Sequence, residues 1–241
     1  CYCVDGLMVD SGLQSFARQT LEWARLQGVD RAVLTHHHED HSGGVPRLQQ
    51  GGLSVLASSA TGSRLLSGFA THFYQRMVWG RAPRARVDVL PSVVETNQYR
   101  FQVFAAPGHC DDQVVLYEPR QGWLFSGDAF IGQKIRYFRG DEDFQATVES
   151  LRFLAQLDFD SLFCAHRPRL QGGREALRGK LNHLLELQGR VRELHAQGLP
   201  LEQITRRLLG KEPLLLYLFS AGDLSKRNLV RSILFGPSPR N

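Results

Sequence analysis

The 241-residue sequence lacks any uninterrupted apolar run of the roughly 18 residues that a membrane-spanning helix needs. It also has only four cysteines, and Cys1, Cys3, Cys110 and Cys164 do not form the pattern of a disulfide framework. Hydrophobic residues make up 42% and charged residues 22% of the chain, which excludes an intrinsically disordered protein. We therefore expect a globular, cytoplasmic protein without membrane contact.

Neither sign of charge is scarce, and the formal net charge is only +5. A basic balance of this size permits an anionic small molecule or RNA as a partner, but it requires neither. The sequence shows no cleavable signal, and it begins with Cys1 in place of Met. We therefore expect a processed or truncated form of the chain.

Histidine, by contrast, is concentrated in one stretch. Residues 34–44 read Leu-Thr-His-His-His-Glu-Asp-His-Ser-Gly-Gly, and they contain the pattern H-x-H-x-D-H. His36 and His38 would leave the end of a strand on the same side and could bind one metal ion. Asp40 and His41, after a turn, could bind a second ion next to it. The stretch therefore predicts a site for two metals.

Three further candidate ligands each follow a short apolar strand and small residues. They are His109 after Pro107-Gly108, Asp128 after Ser126-Gly127, and His166 after Ala165. Small residues allow the backbone to approach a metal closely, so these positions are suited to ligands at one edge of a sheet. His37 and Glu39 occupy the x positions of the histidine motif, and we expect them to point away from the metals.

Hydrophobic periodicity predicts a layered α/β chain with a helical end. Residues 3–9 are predicted to form a strand, residues 13–27 a helix and residues 32–34 a strand that leads into the histidine stretch. After Gly172-Gly173 the pattern becomes helical, so we divide the chain into a catalytic domain, 1–172, and a helical C-terminal extension, 173–241. The helices predicted in the extension span 174–195, 201–209, 214–219 and 224–234.

The ordered series D-S-G, T-H-H-H-E-D-H-S-G-G, G-H-C-D-D, S-G-D and A-H resembles the metallo-β-lactamase superfamily over roughly residues 1–170. The resemblance implies a four-layer αββα sandwich that binds metals at one edge. The family usually has one or two strands before the equivalent of Cys3, so we expect shortened N-terminal strands. Only 37 residues separate Asp128 from His166, and the large insertion domain of some RNA-cutting relatives is therefore absent.

The same resemblance assigns seven metal ligands and one supporting acid. One ion would be bound by the three histidines His36, His38 and His109. A second ion would be bound by Asp40, His41 and His166. The Asp128 carboxylate would bridge the two ions. Asp10, in the first motif, would be the buried acid that supports the ligands from behind. The chain departs from the family at Ala165-His166-Arg167, where relatives usually have a Gly-His-Gly-like turn.

This ligand set implies hydrolysis. Two divalent ions bridged by Asp128 would lower the pKa of a shared water and hold a metal-bridging hydroxide at neutral pH. Asp40 is the predicted catalytic residue, because it could orient that hydroxide and handle its proton. Zinc is the default metal, although iron or manganese also suits these ligands. The prediction is a dinuclear metal-dependent hydrolase, with a small ester, thioester or lactone as substrate.

The substrate is predicted from an aromatic, arginine-rich segment over residues 69–84, which we interpret as a partly helical flap. Tyr74 and Trp79 in this flap are the predicted substrate contacts. Such a wall suits an anionic or amphipathic small molecule, and it would also suit RNA, whose bases stack on aromatic rings. The alternative is that the flap aromatics only pack the flap onto the body of the protein.

Other functions remain open at this point. One alternative is a ribonuclease or phosphodiesterase, and another is a metal-containing regulatory or partner-binding protein with little turnover. In the second case the apolar run over 214–219 would form a partner surface or a homodimer contact, whereas such a run is more often part of a core. Redox chemistry on sulfur by a single iron is a further alternative, but the full set of ligands for a second metal argues against it.

Overall fold

The computed structural model describes residues 1–135 and 137–238, and it has two compact units. The first unit comprises Cys1–Ala105 and Asp112–Gly127, and the second comprises Ala106–Asp111 and Asp128–Asn241. The final residues of the predicted extension, 239–241, lie outside the described residues. The predicted domain boundary after residue 172 stays a prediction.

A five-stranded sheet in the first unit leads into the histidine stretch. Its strands follow chain order: β1 (Tyr2–Val4), β2 (Leu7–Val9), β3 (Arg31–Val33), β4 (Ser54–Ala57) and β5 (Asp88–Val89). Strands β2 to β5 run parallel, with Leu7 opposite Arg31 and Arg31 opposite Ser54. Because parallel strands end at the same edge, the segments after β2 and β3 emerge side by side.

The single strand predicted over residues 3–9 is wrong, because this segment is a hairpin. Strands β1 and β2 pair antiparallel with Cys3 opposite Met8, and Asp5-Gly6 forms the turn between them. Both turn residues have positive φ, 47° at Asp5 and 81° at Gly6. This is the backbone of a type I′ turn, for which Asp-Gly is a preferred sequence because its twist matches that of the strands.

Helices of the first unit cover this sheet and hold the loops after it. They are α1 (Ala17–Leu26), α2 (Glu39–Ser42), α3 (Val45–Gln50), α4 (Ser59–Ser67) and α5 (Phe73–Val78). Leu21 of α1 and Leu48 of α3 join Met8 and Ala32 of the strands in one buried hydrophobic cluster. The helix predicted over 13–27 begins with a 3-10 turn at Gln14–Phe16 and continues as α1.

Four strands of a second, five-stranded sheet belong to the first unit and form an antiparallel meander. They are β6 (Val93–Glu95), β7 (Arg100–Ala105), β8 (Val114–Glu118) and β9 (Trp123–Gly127). Each strand pairs with the next, as shown by Val94 opposite Phe101 and Val103 opposite Leu116. Two sheets with covering helices agree with the α/β class predicted from the sequence.

The second unit is largely helical. Its elements are α6 (Phe144–Leu154), β10 (Ser161–Cys164), α7 (Gly173–Ala196), α8 (Leu201–Leu209), α9 (Leu214–Phe219) and α10 (Lys226–Phe235). The helical C-terminal region is therefore confirmed, and α7 packs against α6, α8, α10 and β10. Among the described residues, no helix combines the length and apolar character needed to cross a membrane.

The expectation that the apolar run 214–219 belongs to a core is wrong. This run forms α9, in which no residue is buried, and Leu215 is 85% exposed. Leu216 and Tyr217 are half-buried, and the other four residues of the run are exposed. The alternative of a partner surface therefore stays open.

The core cluster of the first unit makes one stability prediction. Replacement Leu48→Ala should lower the free energy of unfolding by about 2–5 kcal/mol, because it leaves a cavity beneath α3 where Leu48 is fully buried. Leu26→Ala on α1 is the matched control, since Leu26 is 84% exposed, and it should change stability by less than roughly 0.5 kcal/mol. Urea unfolding followed by circular dichroism measures both; equal effects would contradict this description of the core.

Candidate functional site

The histidine stretch brings two imidazole nitrogens together. His36 Nε2 lies 2.9 Å from His38 Nδ1, and the Thr35 hydroxyl lies 3.0 Å from His36 Nδ1 and fixes the His36 ring. Two nitrogens on one tetrahedral zinc ion would be roughly 3.3 Å apart, given zinc–nitrogen bonds near 2.0 Å. The separation in the structure therefore fits two ligands of a shared ion.

Two glycines allow the stretch to fold this tightly. A Cβ atom on Gly43 would lie 2.4 Å from the Glu39 carbonyl oxygen, and one on Gly44 would lie 2.4 Å from the Ser11 carbonyl oxygen. The hydroxyl of Ser42 also donates to the carbonyl oxygens of His37 and His38, at 2.6 and 3.0 Å. The sequence S-G-G therefore closes the turn that presents the preceding histidines.

Asp10 lies directly behind this turn. One of its carboxylate oxygens accepts from the Thr35 backbone N–H at 2.7 Å, and the other lies 2.7 Å from His41 Nδ1. His41 Nε2 is directed to the other side, 3.8 Å from the carboxylate of Asp40. Asp10 has a φ of 61°, a left-handed conformation that aspartate tolerates better than most residues. The carboxylate thus fixes which His41 nitrogen is available to a metal.

In the second unit, one carboxylate lies between two histidines. Oδ2 of Asp128 is 3.5 Å from His109 Nε2 and 3.3 Å from His166 Nε2. An oxygen atom placed between two imidazole nitrogens is the arrangement that a metal-bridging carboxylate requires. The predicted ligands of this unit are therefore brought together within it.

His166 lies in a turn that follows β10. Leu162 and Arg169 close this turn with two backbone hydrogen bonds of 2.7 and 2.8 Å, and the Arg167 N–H donates to Cys164 Sγ at 3.0 Å. The turn therefore presents His166 towards Asp128 although it lacks the glycines usual in the family. The His166 side chain is 43% exposed, more than that of His109 at 11%.

Glu142 supports His109 and was missed in the sequence. Its carboxylate lies 3.2 Å from His109 Nδ1, so His109 has a carboxylate at each nitrogen, as His41 does. Burial lowers the pKa of His109, but the charge and hydrogen bond of Glu142 and the charge of Asp128 outweigh this effect, and the pKa is raised overall. The only sequence signal for Glu142 was the acidic run Asp141–Asp143 ahead of α6.

A close approach of the backbone to α6 brings His109 beside Glu142. Gly108 has a φ of 139°, and a Cβ atom there would lie 2.3 Å from Thr147 Oγ1. The Gly108 carbonyl oxygen accepts from the Asp143 N–H at 2.8 Å. Only glycine can occupy this position, which explains why glycine precedes His109.

A second polar network in the first unit holds the histidine stretch through His37. The carboxylate of Asp112 lies 2.8 Å from His37 Nδ1 and accepts from the His37 backbone N–H at 3.1 Å. It also accepts from the Thr61 hydroxyl at 2.7 Å and pairs with Arg64 at 2.8 Å. Burial raises the pKa of Asp112, but the hydrogen bond and charge of His37 outweigh it and hold this pKa well below its usual range. His37 therefore anchors the stretch.

The predicted flap begins next to this network. The Phe69 ring packs edge-on against His37, with ring centroids 4.7 Å apart. Tyr74 is only 2% exposed and contacts Trp79 edge-on at 5.9 Å, whereas Phe73 lies on the exposed side of α5. The structure therefore places Tyr74 inside the flap, and the roles of Tyr74 and Trp79 as substrate contacts stay predictions.

The donor atoms of both units suit a divalent metal. Imidazole nitrogens and carboxylate oxygens are ligands of zinc, and they also suit iron and manganese. In each unit a histidine is fixed through Nδ1 by one carboxylate, and its Nε2 faces another. This is the usual way in which proteins orient a metal-binding histidine.

Comparison with known proteins agrees with this geometry. Residues 5–166 match the family model described as the metallo-beta-lactamase superfamily. The hydroxyacylglutathione hydrolase of Methylobacillus flagellatus is 32% identical over 203 residues, which cover 80% of this chain and 71% of the relative. The chain belongs to the metallo-β-lactamase superfamily.

The match to another relative includes a smaller share of that relative's length. The hydroxyacylglutathione hydrolase of Legionella pneumophila, strain Lens, is 31% identical over 141 residues, or 58% of this chain and 48% of the relative. The chain therefore spans about half the length of this relative. A solved metallo-beta-lactamase family protein from Thermus thermophilus covers 94% of this chain and 83% of its own, at 21% identity and a TM-score of 0.66. This likeness confirms the predicted fold.

The Asp112 network makes a prediction for the metal-free chain. Replacement Asp112→Asn should lower the free energy of unfolding at pH 7 by roughly 3 kcal/mol, because it leaves the buried His37 and the partly buried Arg64 without their carboxylate. The exposed Asp88→Asn variant, on β5, should be close to neutral. Urea unfolding in the presence of a chelator measures both variants.

The effect of Asp112→Asn should also depend on pH. The pKa of Asp112 is held below that of an unfolded aspartate, so its contribution is fully present above the unfolded value of roughly 4 and is lost as the pH falls towards the folded value. The difference between wild type and variant should therefore shrink below about pH 5. A difference that grows as the pH falls would contradict this role.

Proposed function

We propose that this chain is a dinuclear metal-dependent hydrolase that cleaves a small thioester, within the predicted class of esters, thioesters and lactones. The observation that carries the proposal is the repeated support of His41 by Asp10 and of His109 by Glu142. Such pairs orient a histidine for metal binding, and in both cases Nε2 of the same ring faces a second carboxylate. Membership of the metallo-β-lactamase superfamily supports the same conclusion.

The proposed ligands are those that the resemblance assigned. One ion would be held by His36, His38 and His109, the other by Asp40, His41 and His166, with Asp128 as the bridge. Zinc is the first choice, and iron or manganese would also suit this set. When bound, two such ions supply a water of lowered pKa and positive charge for the oxygen that becomes negative in the transition state.

The side chains of the chain itself orient ligands and handle a proton. Asp10 and Glu142 hold Nδ1 of His41 and His109, which leaves Nε2 of each ring for metal binding. The Asp40 carboxylate, 3.8 Å from His41 Nε2, would orient the attacking water and accept its proton. Because Asp40 would touch the reacting water, it is the proposed catalytic residue.

The choice of a thioester rests on the relatives. The matched relatives are named hydroxyacylglutathione hydrolase, a name that denotes a glutathione thioester as substrate. The net charge of +5 is compatible with such an anionic small molecule. Substrate contacts by Tyr74 and Trp79 of the flap are part of the proposal, as is the cytoplasmic location.

A second candidate function is supported by α9. Leu214, Leu215 and Leu218 of this helix are all exposed, and an apolar patch of this kind is typical of a surface that binds another protein. In this alternative the chain is a metal-containing partner-binding protein with little turnover, or a homodimer. No contact among the described residues favours RNA as a substrate, and RNA stays a prediction.

The test is metal content together with turnover on a panel of substrates. The panel holds an S-hydroxyacylglutathione, an acyl-homoserine lactone, bis(p-nitrophenyl) phosphate and single-stranded RNA. We expect two metal ions per chain and hydrolysis of the thioester. The Asp128→Asn variant should lose roughly 100-fold or more in kcat, since it removes the proposed bridging charge.

The control for this experiment is Asp158→Asn, an exposed aspartate that should leave turnover unchanged. Two metals with phosphodiester or RNA cleavage in place of thioester cleavage would replace the proposed substrate class. A metal-loaded chain that is inert on the whole panel would contradict the hydrolase and favour the partner-binding alternative.

A further inference from the structure

One lysine of the helical extension occupies a position where an apolar residue is expected. Lys180 lies on α7 between Leu177 and Leu184, and the three share the helix face that is turned to the interior of the second unit. Lys180 is only 4% exposed. A buried ammonium group is costly unless hydrogen bonds and negative charges compensate for the lost hydration. The groups around Lys180 should therefore include the hydrogen-bond acceptors and negative charges that replace its lost hydration.

The buried ammonium group of Lys180 forms a hydrogen bond with the segment that carries Asp128, the proposed bridging ligand. Its Nζ donates to the carbonyl oxygen of Ala129 at 2.7 Å, and Ala129 directly follows Asp128. This hydrogen bond crosses from α7 to a residue 51 positions earlier in the chain. The backbone next to Asp128 is therefore fixed by the helical extension.

Carboxylates of the candidate site provide the negative charge. Burial lowers the pKa of Lys180 to about 8, and the charges of Glu142 and Asp128 act in the opposite direction. Glu142 is the residue that holds His109, and Asp128 lies between His109 and His166. Lys180 is thus the counter-charge to two carboxylates that would otherwise repel each other close to the same histidine.

We propose that Lys180 is a positioning residue of the metal centre, which holds the Asp128 segment through Ala129 and balances the charges of Asp128 and Glu142. The helical extension then completes the metal centre, although the sequence suggested an appendage. The inference rests on the proposed dinuclear site, and it adds a residue that neither the resemblance nor the motifs assigned.

The test is the Lys180→Met variant, which keeps an unbranched side chain of similar length but removes the charge and the donor. Its control is Arg190→Met, an exposed basic residue on the same helix. Zinc affinity of the metal-free chains is measured by competition with a chromophoric chelator, and thermal unfolding of the metal-free chains is measured in parallel.

We expect Lys180→Met to bind the more weakly held zinc ion about 10-fold to 100-fold less tightly, the scale on which residues behind metal ligands act. Stability of the metal-free variant should fall, because Asp128 and Glu142 lose their buried counter-charge, so zinc affinity is the measurement that separates a positioning role from a structural one. The kcat for the thioester should fall while KM changes little. Arg190→Met should match wild type in each measurement.

A purely structural lysine would change stability but would leave zinc affinity unchanged. Zinc affinities within twofold of wild type, with a changed melting temperature alone, would overturn the inference and leave the proposed function intact. A wild-type chain that binds fewer than two metals would overturn the proposed function, and this inference with it. If Lys180→Met does not fold, Lys180→Gln provides the same comparison, with a neutral polar group at the buried end.

Discussion

The hydrogen bonds of the Asp10 carboxylate are the constraint on which the first unit depends. They join the end of β2 to Thr35, at the start of the histidine stretch, and to His41, at its end. Hydrogen bonds to a charged group contribute more than neutral ones, roughly 1.5–3 kcal/mol each. Because Ser11 also binds the His41 backbone, the stretch between Thr35 and His41 is held at both ends. His36 and His38, which are proposed as metal ligands, lie inside this interval.

In the second unit, carboxylates also hold a histidine in place, with different residues. Glu142 holds His109 from behind, and Asp128 faces it from the front. Lys180 supplies the positive charge that allows these two carboxylates to lie close together. In both units, carboxylates beside the proposed ligands therefore determine how the histidine rings are oriented, and the motif residues alone would not fix them.

Local patterns in the sequence were enough to predict much of the fold. The helices of the extension follow from apolar periodicity, and α8, over 201–209, has the bounds that were predicted. Asp5-Gly6 is a typical hairpin turn, but the strands on either side of it are so short that the pattern predicts a single strand. The core assignment of 214–219 failed because apolar character alone does not reveal whether a short helix finds a partner.

The candidate ligands were visible because the motif places chemistry-bearing residues at strand ends, and the resemblance indicated Asp10 as a support, whereas the contacts of the other supporting acids could not be predicted. Glu142 contacts a residue 33 positions away, and Asp112 contacts one 75 positions away. Neither pairing has a signal in local spacing, since both depend on which loops the fold brings together. Lys180 had a signal, a charge within an apolar helix face, but its partner Ala129 could not be identified without the fold.

The most direct test of the dinuclear centre is anomalous X-ray scattering at the zinc edge from a crystal of the zinc-loaded chain. The proposed ligand set predicts two peaks roughly 3.5–4 Å apart, one beside His36, His38 and His109, the other beside Asp40, His41 and His166, with Asp128 beside both. A single peak, or two peaks on other residues, would contradict the dinuclear centre from which the proposed chemistry follows.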